Sequence, residues 1–173
     1  PQDAGTFWYH PHQRSFEQVG RGLYGPLIIE EADPPQVDRD LVWMLDDWRL
    51  NDQGQISGGF GSRHDAMMAG RIGNTITING QPAAPLIARP NERIRLRLVN
   101  AANARIFGLD FGELDPMVVA LDGQPVEPHR LSAPLLLGPA MRADLIVDFD
   151  YPAGTRHSLR DVFYDGLEYE LTT

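Results

Sequence analysis

The residues of this chain whose types and spacing could do chemistry are His10 and His12, separated by Pro11. In extended chain, residues i and i+2 point to the same face about 6 to 7 Å apart, so two imidazoles face one side. Pro11 holds its own φ and donates no backbone hydrogen bond, which stiffens the pair and suits a strand end rather than a strand middle. This spacing is awkward for two ligands on one ion and well matched to one ligand on each of two adjacent ions. Imidazole suits copper, zinc, iron and nickel alike, so donor type leaves the metal open. Two ordinary surface histidines at a strand end would be written with the same letters.

Other constellations are weaker. Gly20-Arg21-Gly22-Leu23-Tyr24-Gly25 satisfies G-x-G-x-x-G, with Asp46 and Asp47 near the distance of a ribose-binding acid. A dinucleotide site needs a strand before the glycines and a helix after them, whereas Pro26-Leu27-Ile28-Ile29 reads as strand. Ser57 to Ser62 lacks the Lys of a P-loop and reads as a surface loop. Ser62, His64 and Asp65 have the letters of a hydrolytic triad without a nucleophile elbow. His64, Met67 and Met68 would share a face if helical, a soft-metal arrangement, but loop or core packing is the expected role. His129 and His157 have no partner near in sequence, and Asp46-Asp47 is expected to be solvated or capping. No residue is singled out as catalytic.

The elements that position the pair are strands. Thr6 to Tyr9 is aromatic and β-branched, and Leu27 to Ile29 is a second short run, with a polar, Gly-punctuated loop between them. Glu30 to Pro35 combines charge with a Pro pair and reads as a linker, placing a domain boundary between residues 1–35 and 36–173. Beyond it, strands are expected at Leu41 to Leu45, Thr75 to Ile78, Arg93 to Val99, Met117 to Leu121 and Asp144 to Phe149, with turns at Asn79-Gly80, Pro90-Asn91 and Asp122-Gly123. Arg93, Arg95 and Arg97 alternate with Ile94, Leu96 and Leu98, which predicts a wet face and a core face. Short strands without a long 3.6-period segment predict an all-β fold, a β-sandwich or Greek-key barrel over 36–173. Two strands before the linker cannot close a core alone, so they are expected to be the end of a preceding domain and the chain a piece of something longer.

Composition excludes several function classes. The 173 residues carry a net charge of −9, which repels nucleic-acid phosphates and anionic lipid headgroups, so neither nucleic acid nor membrane is an expected partner. No run approaches the roughly 18 apolar residues of a membrane span. With no Cys there is no disulfide, no thiolate nucleophile and no Cys-ligated metal centre within the chain.

The string Gly5-Thr6-Phe7-Trp8-Tyr9-His10-Pro11-His12, then Gln18, then Gly22-Leu23-Tyr24-Gly25-Pro26-Leu27-Ile28-Ile29, resembles the second histidine motif of the multicopper oxidases, the laccases and bacterial cuprous oxidases among them. Asp47-Trp48, Ile78-Asn79-Gly80, Arg95 to Ala101, Leu121 to Val126 and Gly138 to Val147 are similar to landmarks that family shows in order. The resemblance implies a cupredoxin-like Greek-key β-sandwich at 36–173 without its own copper, preceded by the last strands of an incomplete cupredoxin domain. It implies copper, with His10 and His12 each on a different ion of the type 3 pair of a trinuclear cluster whose other ligands lie outside the chain. It further implies an oxidase that couples one-electron oxidation of a phenol, amine or metal ion to reduction of dioxygen, located in the periplasm or secreted. The partners would be dioxygen, a small reducing substrate, and the missing cupredoxin domains or other copies of the chain. The competing reading is a copper-free cupredoxin-type scaffold.

Overall fold

The computed structural model describes residues 3–82, 85–164 and 168–173. The chain runs through β1 (Gly5–Tyr9), α1 (Ser15–Gln18), a 3-10 turn (Val19–Arg21), β2 (Gly25–Ile29), β3 (Arg39–Trp48), α2 (Arg63–Met67), β4 (Thr75–Ile78), β5 (Leu86–Ile87) and β6 (Glu92–Asn100). It continues with β7 (Phe107–Asp110), β8 (Met117–Leu121), β9 (Gln124–Arg130), β10 (Leu135–Leu137), β11 (Arg142–Phe149), β12 (Arg156–Asp161) and β13 (Glu168–Thr172). One sheet has the order β4-β3-β6-β11-β8-β9 and a second β10-β7-β12-β13-β5. Leu45, Ile94, Leu98 and Leu145 from the first meet Phe107, Leu109 and Leu159 from the second in one buried core. Each such side chain contributes about 1.5–3 kcal/mol by leaving water.

The expected strands form, and the turn residues do what their types allow. Asp122 and Gly123 both have positive φ in the tight turn joining β8 to β9, as do Asn79 and Gly80 after β4. Asn79 also ties that turn to β3, accepting from the Met44 N–H and donating to the Val42 carbonyl.

The N-terminal strands β1 and β2 pair antiparallel as a separate two-stranded sheet, with Trp8 opposite Pro26 and Tyr9 opposite Gly25. This hairpin packs on the six-stranded sheet, β1 touching β6, β9 and β11 and β2 touching β3. Gly5 permits the approach: its φ is +148°, and a Cβ there would run into the Gly123 carbonyl.

The docked hairpin overturns the expectation of a wet face on β6. Ile94, Leu96 and Leu98 do face the core, and Arg93 is exposed in a bidentate pair with Asp148. Arg95 and Arg97, however, are only 2% and 3% exposed. Arg95 donates to both oxygens of Glu31 at 2.6 Å and to Asp144 at 2.6 Å. Arg97 grips Asp40 at 2.8 Å through two nitrogens and donates to the Thr6 hydroxyl at 2.9 Å. The alternation was sound, but one strand cannot reveal that a second layer covers its polar side. A guanidinium buried there has to be paired.

Candidate metal centre

β1 ends at Tyr9, and the two imidazoles follow in a segment without regular secondary structure. Their rings lie nearly parallel, 13° apart in plane with centroids 4.9 Å apart. Trp8 stacks on His10 from the other side at 4.3 Å and 25°. Immediately after, Arg14 takes φ +48° and reverses the chain into α1. That turn is pinned by the Gln18 amide on the Gln13 carbonyl and by Arg14 and Arg21 on Glu17. Asn103 holds the same segment to the body, donating to the Phe16 carbonyl at 2.7 Å. A cavity of about 440 Å³ opens beside the pair, lined by Trp8, His10, Phe16, Val19, Asn103 and Pro139 among others.

The two rings are not aimed at one shared ion. The lone pair of an imidazole nitrogen lies in the ring plane, and a bound transition metal sits in that plane about 2 Å from the nitrogen. Two planes only 13° from parallel do not converge on a common ion at that range. His10 Nδ1 lies 3.2 Å from the Pro11 carbonyl oxygen, which can only accept; the tautomer with its proton on Nδ1 would complete that contact and leave the Nε2 lone pair free. Among the described residues no group of three or more His, Cys, Asp or Glu gathers around a common point. A stable site therefore needs donors beyond these two.

Tyr24 joins this region to the sheet. Its ring meets Trp8 edge-on, centroids 6.3 Å apart, and both pack against Met44, Val99 and Ala101. Its hydroxyl donates to Asp46 Oδ2 at 2.5 Å, while Asp46 Oδ1 accepts the Asp47 N–H. Burial pushes the Asp46 carboxyl up to about 7; the hydrogen bonds from Tyr24 and Asp47 oppose that rise, and the Asp47 charge adds to it. Burial, followed by the neighbouring Asp46 charge, lifts the Tyr24 phenol well above its ordinary value. Asp46 and Asp47 were expected to be solvated or capping, yet both are buried, at 2% and 9% exposed. Asp47 accepts from Arg105 Nε at 3.1 Å and from the Gly73 N–H. The expected strand stopped at Leu45, whereas β3 runs on to Trp48 and carries both acids inward. The Tyr24–Asp46 pair, 22 residues apart, had no signal in the sequence beyond Tyr24 lying in the histidine-motif string.

The weaker constellations come apart. Gly22 caps the 3-10 turn with φ +85° against the Trp48 ring, and Gly25 opens a strand, so the glycines form no phosphate cradle. Ser62 caps α2 by accepting from the Asp65 N–H, and both Asp65 oxygens are taken by Arg49, which leaves no triad. His64, Met67 and Met68 do fall on and just after a helix, and the two methionines are 77% and 69% exposed rather than packed. His129 is exposed and contacts the Glu127 carbonyl, and His157 is buried between Phe149 and Tyr151. No helix among the described residues is long and apolar enough to cross a membrane.

Two family models, both described as multicopper oxidase, match residues 1–34 and 39–158. Multicopper oxidase MmcO of Mycobacterium tuberculosis is 31% identical over 173 residues, covering 84% of this chain and 34% of that protein. A crystal structure of a multi-copper oxidase from Pseudomonas thermotolerans superposes with a TM-score of 0.90 at 36% identity, over 99% of this chain and 41% of that one. Cell division protein FtsP of Escherichia coli is 29% identical over 152 residues, 85% of this chain and 32% of its own length. The chain thus spans about a third of the length of the curated relatives it matches.

Proposed function

The chain belongs to the multicopper oxidase family and has its cupredoxin-like β-sandwich, and from that premise we propose that His10 and His12 each bind a different copper of a type 3 pair. The observation that carries this reading is the near-parallel ring geometry, 13° and 4.9 Å, which suits two neighbouring ions and not one. Copper held there would supply the one-electron redox capacity needed to reduce dioxygen to water. The chain's own part is to orient. Trp8 stacks His10 in place, the Pro11 carbonyl selects the tautomer that frees Nε2, and the Gln13–Gln18 contact fixes the exit of the loop.

The remaining ligands come, in this proposal, from polypeptide beyond these 173 residues, since two imidazoles do not make a stable site. With no Cys in the chain, a type 1 centre would also lie elsewhere. Residues 1–35 are read as the closing strands of one cupredoxin domain and residues 36–173 as a second domain without its own copper. The whole protein would oxidise a phenol, amine or metal ion one electron at a time with dioxygen as acceptor. The reading places it in the periplasm or outside the cell. The sequence likeness to FtsP, named for cell division, favours one alternative, a copper-free scaffold of the same fold.

Copper content and oxygen consumption of the full-length protein, compared with its His10→Ala and His12→Ala variants, test the proposal. Loss of either ligand should lower dioxygen reduction by more than about 10²-fold, since even outer partners of metal ligands cost 10–100-fold. Full copper and normal turnover in both variants would defeat it. A wild-type protein that takes up no copper would favour the scaffold.

A further inference from the structure

The aromatic side chains behind the histidine pair form an unbroken series. His12 stacks on His10, His10 on Trp8, and Trp8 meets Tyr24, with successive centroids 4.9, 4.3 and 6.3 Å apart. The series ends on a hydroxyl bonded to a buried carboxylate, Tyr24 to Asp46 at 2.5 Å. Among the described residues Tyr24 is the one tyrosine whose hydroxyl donates to a carboxylate; Tyr151 donates to a backbone carbonyl. Packing alone would explain a tyrosine wedged against Met44, Val99 and Ala101, but it requires neither an acid at the hydroxyl nor an indole bridging to an imidazole.

We propose that Trp8 and Tyr24 form a one-electron relay behind the His10–His12 pair, by which an oxidising equivalent held at the pair is carried to Tyr24 and the phenol proton passes to Asp46. A one-electron transition-metal oxidant bound at an imidazole, ruthenium(III) in the test below, takes an electron from the Trp8 indole and is itself reduced by one electron. The resulting indole radical cation takes an electron from Tyr24. Tyr24 passes its hydroxyl proton to the Asp46 carboxylate, leaving a neutral phenoxyl radical and a neutral carboxylic acid. Losing the proton in the same event matters, because a cationic phenol would be costly in this buried site. The groups facing Asp46 are Tyr24 from the hairpin and Asp47 on its own strand, and Asp47 is itself held by Arg105. The relay would draw a stranded oxidant's demand away from the imidazoles that hold it. That role rests on the copper reading above, but the relay can be measured without copper.

The test uses the 173-residue chain with a ruthenium(II) bis-bipyridine imidazole label on His12, in a background where exposed His64 and His129 are Gln. Flash-quench oxidation to ruthenium(III) then places the oxidant at the pair. Above about pH 8, where the Asp46 carboxyl is ionised, the wild-type background should give a phenoxyl absorption transient, with formation slowed in D2O. Tyr24→Phe should abolish the transient, and Trp8→Phe should lower its yield severalfold. Asp46→Asn can still accept the hydrogen bond but cannot take the proton, and should slow formation by about a hundredfold, the scale of a positioned base. Circular dichroism of each variant separates these effects from misfolding. A phenoxyl signal that persists in Tyr24→Phe, or ruthenium(III) that decays in the folded wild-type background with no protein radical, would overturn the relay. Neither result would bear on whether copper binds.

Discussion

Replacing Arg95 with Met tests how the hairpin that carries the histidine pair is held. Met keeps much of the aliphatic stem and removes the charge. Arg95 is 2% exposed and bridges Glu31 of the N-terminal segment to Asp144 of β11, all three bonds at 2.6 Å. Its loss leaves Asp144, 1% exposed, without its shortest partner, though Arg97 remains 3.3 Å away. Removing one partner of a buried pair costs about 3–5 kcal/mol, and the surviving Arg97 contact puts this case near the lower end, about 3 kcal/mol. At 2–4 °C per kcal/mol for a protein of this size, Tm should fall by roughly 6–12 °C in calorimetry at neutral pH. Glu31→Gln should cost only about 1 kcal/mol, because that carboxylate is 27% exposed and can turn to water. Adding Asp144→Leu to Arg95→Met should recover part of the loss, since the two residues are coupled. A shift within about 2 °C for Arg95→Met, below the effect of a single kcal/mol, would refute the claim that this ion network fastens the hairpin.

Asp46→Asn should flatten the pH dependence of stability between pH 4 and 7. The folded carboxyl titrates at about 7, above its ordinary value, so the folded state keeps a proton the unfolded state has lost. Its stabilising contribution is full below about pH 4 and is lost as pH rises toward 7, with a slope of up to about 1.4 kcal/mol per unit. Glu31 and Asp148, whose values are lowered chiefly by hydrogen bonds from Arg95 and Arg93, act oppositely: their contribution is lost as pH falls below the ordinary carboxylate range. Urea titrations across this range read both slopes. Gly5→Ala should destabilise the fold by more than about 1 kcal/mol in the same assay, from positive φ and the Gly123 carbonyl together. Copper added to the isolated chain should give no intense blue absorption, because there is no thiolate to bind it.

What could be read from the sequence follows from how local each signal is. The alternation of Ile94, Leu96 and Leu98 and the Asp122-Gly123 turn are set within a few residues, and both appear in the structure in the expected form, while the equally local His10-Pro11-His12 segment brings its two rings 4.9 Å apart. Strands that gain their identity from neighbours were invisible. β9 contains two prolines and lies at a sheet edge, β12 reads as polar, and β5 is only two residues long, held parallel to β13. The polar side of β6 and the burial of Asp46 depend on residues tens of positions away, Glu31, Thr6 and Tyr24. The histidine pair stands out as a candidate by its own spacing, whereas Trp8 and Tyr24 behind it take on meaning only once β1 and β2 are paired and laid on the sheet.

His10 and His12 are proposed to serve two ions, one each. Anomalous diffraction at the copper edge from the full-length protein measures this directly. It should show two separate peaks, one in the plane of the His10 ring at Nε2 and one in the plane of the His12 ring. A single peak shared by both rings, or copper bound elsewhere with none at this pair, would contradict it.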